Sequence, residues 1–413
     1  MTPGNGSSRL VDLRSDTVTQ PSEGYKKAMC EAITGDDVWN DCPTATGFEK
    51  FMTEECGWAS SGGGAVFLPT ACQGNLCAIL AHCQRGDECI VGEHGHSFFY
   101  ECGSVSSLAG VQMYPLDMDG GEYNLVKLEQ TIRPYNVHFP RTRCILVENS
   151  HVGDATDLGY YKQLRKLVDR LNSKRPEADA MRIHCDGARI VNACAKFGFE
   201  LKEFCQYVDS ITICYSKGLG AAAGAILCSR LPGFADMARR WRKATGGGMR
   251  QGAGMLSAGC EYVWNHNRKR LLEDHQNARY VYQLIALGQG NNGTDVLAKC
   301  KGKMSAEYDE VKGTNMVFLV FVSSSLRSEK EKLDREVAKA VEAGDAGLAA
   351  VLKQEAWNRM SAHFELTVKK NNFIIDSGKS KRGTTRLVLH MDVTKADIEN
   401  FAALVGAFCE ETL

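Results

Sequence analysis

The feature that most constrains this chain is a pair of short strand patterns that alternate with turns and helical patterns. Residues 210–215 alternate small or polar side chains with β-branched ones, and the pattern stops at residues 216–220, where two glycines permit a tight turn. Upstream, residues 182–186 form a second strand pattern, which passes through a small-residue turn into the helical pattern that starts at Ile190. Such alternation predicts an α/β fold with an open sheet.

Two residues suited to catalysis stand at the ends of these strand patterns, Asp186 on one and Lys217 on the other. In open α/β sheets the carboxyl ends of the strands border the crevice that binds ligands. Taken alone, Lys217 is also compatible with an ordinary surface-loop lysine. The pair, however, is what pyridoxal phosphate requires, because a lysine binds its aldehyde covalently and a carboxylate keeps its ring nitrogen protonated. The sequence therefore predicts a pyridoxal-phosphate site.

Six sequence blocks extend this signal over most of the chain. They lie at residues 12–19, 35–38, 184–189, 216–220, 240–251 and 386–390. In this order the blocks resemble the L-threonine aldolases, of the beta-eliminating lyase family. The resemblance implies the aspartate-aminotransferase-like fold type I of pyridoxal-phosphate enzymes, with a mixed, mostly parallel sheet in a large domain and a smaller α+β C-terminal domain. It also implies a carbon–carbon lyase that cleaves L-threonine or L-allo-threonine to glycine and acetaldehyde.

The resemblance and the composition together predict the domain organisation. Residues 1–11 are expected to be a disordered leader, and residues 12–290 to form an N-terminal segment and the large cofactor-binding domain. Residues 291–413 are expected to form the small domain. Within it, residues 324–364 are rich in Lys, Glu and Ala with helical spacing, which predicts a charged helical insertion.

The cofactor phosphate is expected at a predicted helix start, where free backbone N–H groups bind anions. This turn reads Thr70-Ala71-Cys72, where relatives usually have Ser/Thr-Gly-Thr, and the change predicts weaker cofactor retention. The resemblance implies that His96 stacks on the pyridine ring, whereas His94 has no match. It further implies that Arg250 reaches the phosphate of a neighbouring subunit.

The resemblance also assigns residues to the substrate. Ser15, Arg189 and Arg386 are expected to bind its carboxylate, a role for which the guanidinium fork is chemically suited. His138 is expected to approach its hydroxyl group, although a lone histidine in a connection is also compatible with a structural role. Lys217, His138 and His96 are therefore the candidate catalytic residues, with His138 or a water molecule as the base.

Charge and cysteine content limit the partners and the location. The 49 basic and 50 acidic residues give a formal net charge of −1, so bulk charge gives no support for a nucleic-acid or membrane-surface partner. The 17 cysteines are odd in number and show no C-x-x-C spacing, which favours reduced thiols in a cytoplasmic protein and predicts no metal site. The resemblance implies a homodimer or homotetramer with its sites at subunit interfaces.

Two other functions use the same residues. The constellation around the cofactor is equally suited to β-elimination or transamination, since these reactions differ only in which bond at Cα is aligned for cleavage. The altered turn at Ala71-Cys72 would also be compatible with a protein that has lost catalysis and serves as an oligomeric binding scaffold. The scaffold interpretation is opposed by the presence of the predicted cofactor and substrate residues Asp186, Lys217, Arg189 and Arg386.

Overall fold

The computed structural model describes residues 9–134, 136–322, 330–376 and 384–413. The chain divides into two compact units, one of Thr19–Leu272 and one that joins Met1–Val18 to Glu273–Leu413. Residues 1–8 of the predicted leader and residues 324–329 of the predicted insertion lie outside the described ranges. The domain boundaries predicted from the sequence stay predictions.

Seven strands of the larger unit form one mixed sheet. In chain order, the strands of this unit are β2 (Gly64–Leu68), β3 (Glu88–Gly92), β4 (Gln112–Leu116), β5 (Met118–Asp119), β6 (Glu122–Tyr123), β7 (Thr142–Glu148), β8 (Arg182–Gly187), β9 (Ser210–Cys214) and β10 (Ala225–Ser229). The short strands β5 and β6 pair with each other, outside the seven-stranded sheet. The spatial order is β2-β10-β9-β8-β7-β3-β4, and β10 alone runs opposite to the other six strands. Strands β9 and β10 are buried along their whole length, as expected for strands covered on both faces.

Helices connect and cover these strands. They are α1 (Glu23–Cys30), α2 (Pro43–Glu55), α3 (Ala71–His82), α4 (His96–Phe99), α5 (Leu125–Thr131), α6 (Leu158–Asn172), α7 (Ile190–Phe197), α8 (Leu201–Cys205), α9 (Phe234–Ala244) and α10 (Gly252–Asn267). Aromatic side chains dominate part of the core between them. The ring of Tyr215 meets the edges of Phe48 and Trp264, at centroid separations of 5.5 and 6.0 Å. This packing anchors the strand end from which the lysine turn emerges.

The second unit contains a separate apolar core and a smaller sheet. Its strands are β1 (Val11–Asp12), β11 (Met304–Glu307), β12 (Met316–Phe321), β13 (Phe373–Ile374) and β14 (Thr384–Val388). β11, β12 and β14 form an antiparallel sheet, and β1 pairs with β13 in parallel. Its helices, together with the one at the division between the units, are α11 (Leu271–Tyr282), α12 (Gly293–Cys300), α13 (Lys330–Glu342), α14 (Ala346–Lys370) and α15 (Lys395–Thr412).

The predicted fold class is confirmed, since a mixed, mostly parallel sheet and a smaller C-terminal α+β unit are both present. Among the described helices, none combines the length and the apolar character that crossing a membrane would need.

Candidate active site

Asp186 and Lys217 lie at the carboxyl ends of two neighbouring parallel strands. Asp186 is the penultimate residue of β8 and pairs in register with Thr212 of β9. Lys217 follows the end of β9. The lysine turn is closed by the Gly220 amide, which donates to the Lys217 carbonyl at 2.8 Å. Gly220 adopts a φ of +81°, a conformation that residues with a Cβ atom rarely adopt. The strand pairing thus directs both residues to the same edge of the sheet.

The Asp186 carboxylate is held in a fixed orientation by two donors. The residue is 4% exposed, and its Oδ2 accepts from Asn75 Nδ2 at 2.9 Å. Its Oδ1 accepts from the Ala188 backbone N–H at 3.0 Å. A carboxylate constrained in this way needs little reorganisation to accept a hydrogen bond from a ligand.

Asn75 connects Asp186 to a second buried acid, Glu101. The same Asn75 Nδ2 also donates to Glu101 Oε1 at 2.9 Å, and that oxygen lies 3.0 Å from His96 Nδ1. The hydrogen bond to Glu101 raises the pKa of His96, and burial raises the pKa of Glu101. Asp186, Glu101 and His96 are therefore joined in one hydrogen-bond network through Asn75. Asp186 and His96 were predicted from the sequence, and Glu101 was not.

Behind Asn75, a buried chain of hydrogen bonds continues through His184 and Ser210 to His82. His184 Nε2 lies 3.2 Å from Asn75 Oδ1, and Ser210 Oγ lies 2.8 Å from His184 Nδ1 and 2.7 Å from His82 Nε2. Burial lowers the pKa of His184 to about 3 and that of His82 to about 4, so both rings are neutral near pH 7.

Because both histidines are neutral, each ring has one N–H donor and one acceptor nitrogen. This fixes the direction of the hydrogen bonds that run from Asn75 to His82. Asn75 uses its amide N–H groups on the two carboxylates, so its oxygen must accept from His184 Nε2–H. His184 Nδ1 is then an acceptor and receives the Ser210 hydroxyl proton. The Ser210 oxygen in turn accepts from His82 Nε2–H. Asn75 is therefore locked with its donors towards Asp186 and Glu101.

Helix α3 presents its N-terminus beside this cluster. Thr70 is the N-cap residue, and its hydroxyl accepts from the Gln73 backbone N–H at 3.3 Å. Ala71 and Cys72 occupy the first turn, where backbone N–H groups have no partner within the helix. Burial of the site, with the negative charges of Glu101 and Asp186, raises the pKa of the Cys72 thiol to about 11.

Helix α3 lies unusually close to strand β9, which brings its N-terminus over the sheet. A Cβ atom at Gly74 would come within 2.7 Å of Thr212 Cγ2, a distance that only glycine accommodates. Thr212 is the register partner of Asp186. This close approach therefore places the first turn of α3 next to the strand ends that carry the predicted cofactor residues.

The remaining predicted residues occupy different places. Arg189 is half-buried and is the N-cap residue of α7, directly after β8. Arg250 is exposed and pairs with Asp36 at 2.7 Å. Ser15 and Arg386 belong to the other unit, where Arg386 Nη2 donates to the Arg14 carbonyl at 3.1 Å and so lies near the Ser15 segment.

The structure does not bring His138 to the other predicted residues within one chain. His138 is exposed in the loop that precedes β7, whereas Glu148 at the far end of β7 pairs with Asp186. The strand is about 20 Å long at about 3.3 Å per residue. The loop residues between His138 and Thr142 are too few to span that length. The predicted contact of His138 with the substrate hydroxyl therefore requires a second copy of the chain.

Comparison with known proteins agrees with the geometry of the site. The Beta-eliminating lyase family matches residues 12–296. The chain belongs to this family. It is 41% identical over 277 residues to the low-specificity L-threonine aldolase of Escherichia coli K12, which covers 67% of this chain and 79% of the relative. It is 30% identical over 398 residues to low-specificity L-threonine aldolase 1 of Arabidopsis thaliana, over 94% of each chain.

Solved structures extend the comparison to the whole fold. A structure of Leishmania major threonine aldolase superposes with a TM-score of 0.68 at 13% identity, covering 97% of this chain and 99% of that one. At that identity the likeness shows the fold alone. The predicted resemblance to this family of lyases and the predicted fold type are confirmed.

Pyridoxal phosphate is the cofactor that this family and fold imply, and the residues present fit it. A buried, oriented carboxylate suits its ring nitrogen, and Lys217 emerges from the neighbouring strand end with its amine as the nucleophile. The free N–H groups of the 12-residue helix α3 suit its phosphate. The Thr70-Ala71-Cys72 turn supplies these backbone donors at the start of the helix.

Sequence reasoning did not identify three members of this site. Asn75 and Glu101 connect Asp186 to His96, and Glu148 accepts from the His96 backbone N–H with one oxygen and lies 2.6 Å from His151 Nδ1 with the other. These residues are polar but buried, at 0%, 5% and 7% exposure. Buried acids and amides next to a predicted strand or helix end are a signal in principle, but burial itself was not visible in the sequence.

Proposed function

We propose that this chain is a pyridoxal-phosphate-dependent threonine aldolase that cleaves L-threonine and L-allo-threonine to glycine and acetaldehyde. The observation that carries the proposal is the convergence of Lys217, Asp186 and His96 at one edge of the sheet, in a family whose close relatives carry that name. The amino-acid substrate class follows from the family, and the choice of these two stereoisomers is the finer part of the proposal.

In this mechanism the bound cofactor supplies an electron-withdrawing ring that accepts the electron pair of a bond broken at the substrate Cα. Lys217 would hold the cofactor through its aldehyde. Asp186, fixed by Asn75 and Ala188, would keep a proton on the ring nitrogen. Ser15, Arg189 and Arg386 remain predicted to bind the substrate carboxylate, which would orient the Cα–Cβ bond for cleavage.

The proton of the substrate hydroxyl must leave as the Cα–Cβ bond breaks. His96 has a raised pKa because it hydrogen-bonds to Glu101, so near pH 7 more of it is protonated than of an ordinary histidine. It is therefore suited to donate a hydrogen bond rather than to take up that proton. We assign the base to His138 or to a water molecule, the two candidates that the sequence predicted, and we propose that His138 would come from another subunit.

This assignment supports the predicted homo-oligomer with shared sites. Within one chain, His138 lies at the edge of the sheet opposite to Asp186. Next to it Val137 is 97% exposed and Phe139 is 42% exposed, which is typical of a surface that another chain covers. We further propose a cytoplasmic location, which agrees with 17 cysteines that are all free thiols.

Product analysis tests the proposed reaction. Purified protein with added pyridoxal phosphate should release glycine and acetaldehyde from L-threonine and from L-allo-threonine in equal molar amounts. A 2-oxo acid in place of glycine would instead assign β-elimination or transamination, the first of which the family name favours. A cofactor absorbance band that neither threonine nor glycine shifts would support the binding-scaffold interpretation.

A further inference from the structure

Three side chains with metal-binding atoms converge beside the first turn of α3. The Cys72 thiol, the His96 imidazole and the Glu101 carboxylate each offer one ligand atom, and these atoms lie within 4.8 Å of one another. His96 and Glu101 are five residues apart, Cys72 lies well upstream of both, and the set shows none of the spacings typical of zinc motifs. The fold, rather than a local motif, therefore brings them together.

A second observation at the same place indicates that this cluster can accept a cation. Glu101 is 5% exposed, and its Oε2 atom is buried with no hydrogen-bond partner in the described part of the chain. A buried carboxylate oxygen without a hydrogen bond destabilises the folded chain. A bound cation would remove that destabilisation directly.

The donor set selects the kind of cation. A thiolate, an imidazole and a carboxylate suit Zn²⁺ and similar transition metals, whereas Mg²⁺ and Ca²⁺ require oxygen ligands. Zinc bonds of about 2.0–2.3 Å place tetrahedral ligands roughly 3.3–3.7 Å apart. The His96 Nδ1 to Glu101 Oε1 separation of 3.0 Å is close to that value. Cys72 is exposed at the start of a helix. Its thiol can therefore move closer to the other two ligand atoms without repacking a core.

We propose that Cys72, His96 and Glu101 bind a zinc ion in the cofactor-free chain, with a water molecule as the fourth ligand. Binding forms bonds from zinc to the Cys72 sulfur, the His96 nitrogen and a Glu101 oxygen, and it releases the thiol proton to solvent. The His96 Nδ1–Glu101 hydrogen bond breaks, and the Nδ1 proton moves to Nε2 or, from a protonated imidazole, to solvent. No oxidation state changes. His96 and Cys72 are also the residues predicted to contact the ring and the phosphate of pyridoxal phosphate. This second part rests on the proposed function: metal binding and cofactor loading compete for the same residues.

Cobalt provides a test that does not depend on enzymatic activity. Titration of the cofactor-free, full-length protein with Co²⁺ should produce a near-ultraviolet band from a thiolate–cobalt bond and the visible absorption of a tetrahedral ion, and both should disappear when Zn²⁺ is added. Cys72→Ser should lose the thiolate band. Cys30→Ser and Cys102→Ser remove the other two exposed cysteines and should retain it.

The outcomes separate this site from adventitious binding and from the proposed reaction. A wild-type protein without the thiolate band, or a Cys72→Ser variant that keeps it, would overturn the site. In a second experiment, zinc-loaded wild-type protein should take up less pyridoxal phosphate, followed by cofactor absorbance, than metal-free protein, whereas Cys72→Ser should be insensitive to zinc. Equal uptake by both wild-type forms would overturn the competition. Because neither readout uses threonine, failure of the aldolase assay would leave both results interpretable.

Discussion

At the scale of single residues, the candidate site depends on one nucleophilic amine. Lys217 follows the end of β9 and is the predicted covalent partner of the cofactor. We expect Lys217→Ala to abolish both the visible absorbance of bound cofactor and the release of acetaldehyde from threonine. The control Lys202→Ala removes an exposed helical lysine and should change neither quantity. Retention of absorbance and turnover together in Lys217→Ala would exclude this lysine as the attachment site.

Asn75 is the residue whose removal should disturb the site most without touching the cofactor. Its side chain is fully buried and satisfies Asp186, Glu101 and His184 at once. Asn75→Ala removes one donor from each of two buried acids and should lower the free energy of unfolding by about 3 kcal/mol, since hydrogen bonds to charged groups contribute about 1.5–3 kcal/mol. Urea unfolding measures this loss, and cofactor affinity should fall in parallel.

A matched amide provides the control for this prediction. Asn358 is exposed in α14, where its side chain accepts from the exposed Gln354 side chain, so Asn358→Ala should change the free energy of unfolding by less than about 0.5 kcal/mol. Equal effects of the two substitutions would show that the buried hydrogen bonds of Asn75 contribute nothing specific.

At the scale of secondary-structure elements, the position of α3 on β9 depends on a single glycine. Gly74→Ala would place a methyl group 2.7 Å from Thr212 Cγ2, so the helix or the strand must shift. We expect a loss of about 1–3 kcal/mol in unfolding free energy, as for other overpacked interiors, together with weaker cofactor binding. Gly47→Ala in α2 meets open space and should be neutral or stabilising by about 0.5–1 kcal/mol. Chemical denaturation of both variants measures the contrast.

Element boundaries show where sequence patterns carried too little information. Helical patterns run in the sequence from about Met255 to Ala286 without a visible break, whereas the structure has α10 and α11 separated by a short 3-10 turn at Arg268–Arg270. Arg268 is held there by the Trp264 ring at 4.4 Å and by Glu55 at 3.0 Å. The neighbouring Asn267 donates to the Leu219 carbonyl at 2.7 Å and so ties this break to the lysine turn. Contacts with distant residues decided this boundary.

At the scale of the whole molecule, two buried histidines should make stability depend on pH. The pKa of His82 is lowered to about 4 and that of His184 to about 3, against 6.5 for an exposed histidine. Below pH 6.5 the unfolded chain binds protons that the folded chain does not, so stability is lost as the pH falls towards 4. Between pH 7 and pH 5 the loss is about 2 kcal/mol for each histidine.

Substitution isolates this contribution from that of the carboxylates. Urea unfolding of His184→Gln should show a difference between pH 7 and pH 5 that is about 2 kcal/mol smaller than in the wild type. The substitution also lowers stability at pH 7, so the comparison concerns the pH dependence within each protein. An unchanged pH dependence would mean that His184 is not the neutral buried group described above.

The assembly can be tested by mixing inactive chains. If His138 acts in the site of another subunit, Lys217→Ala and His138→Ala chains that are co-refolded should regain part of the aldolase activity that each lacks alone. One site in each mixed pair then contains both native residues. If His138 served its own chain, no mixed oligomer would contain an intact site and activity would stay absent. Size-exclusion chromatography of the mixture verifies that the chains assemble.

By itself, the sequence determined the fold class, the cofactor and most of the residues proposed to act on it, because these depend on local patterns. Short apolar strands that end in Asp186 and Lys217, and a helix that starts after Thr70, are readable without coordinates. Ordered motifs then identified the family, which the comparisons confirmed.

The tertiary structure alone decided which distant side chains share a site and which do not. It brought Asn75, Glu101 and His184 behind Asp186, and it assembled Cys72, His96 and Glu101 into a candidate zinc site despite their irregular spacing. It also separated His138 from Asp186 by the length of a strand. The physical reason is that burial and strand register are properties of the packed chain: they set the distances and the desolvation on which hydrogen bonding, pKa and metal binding depend.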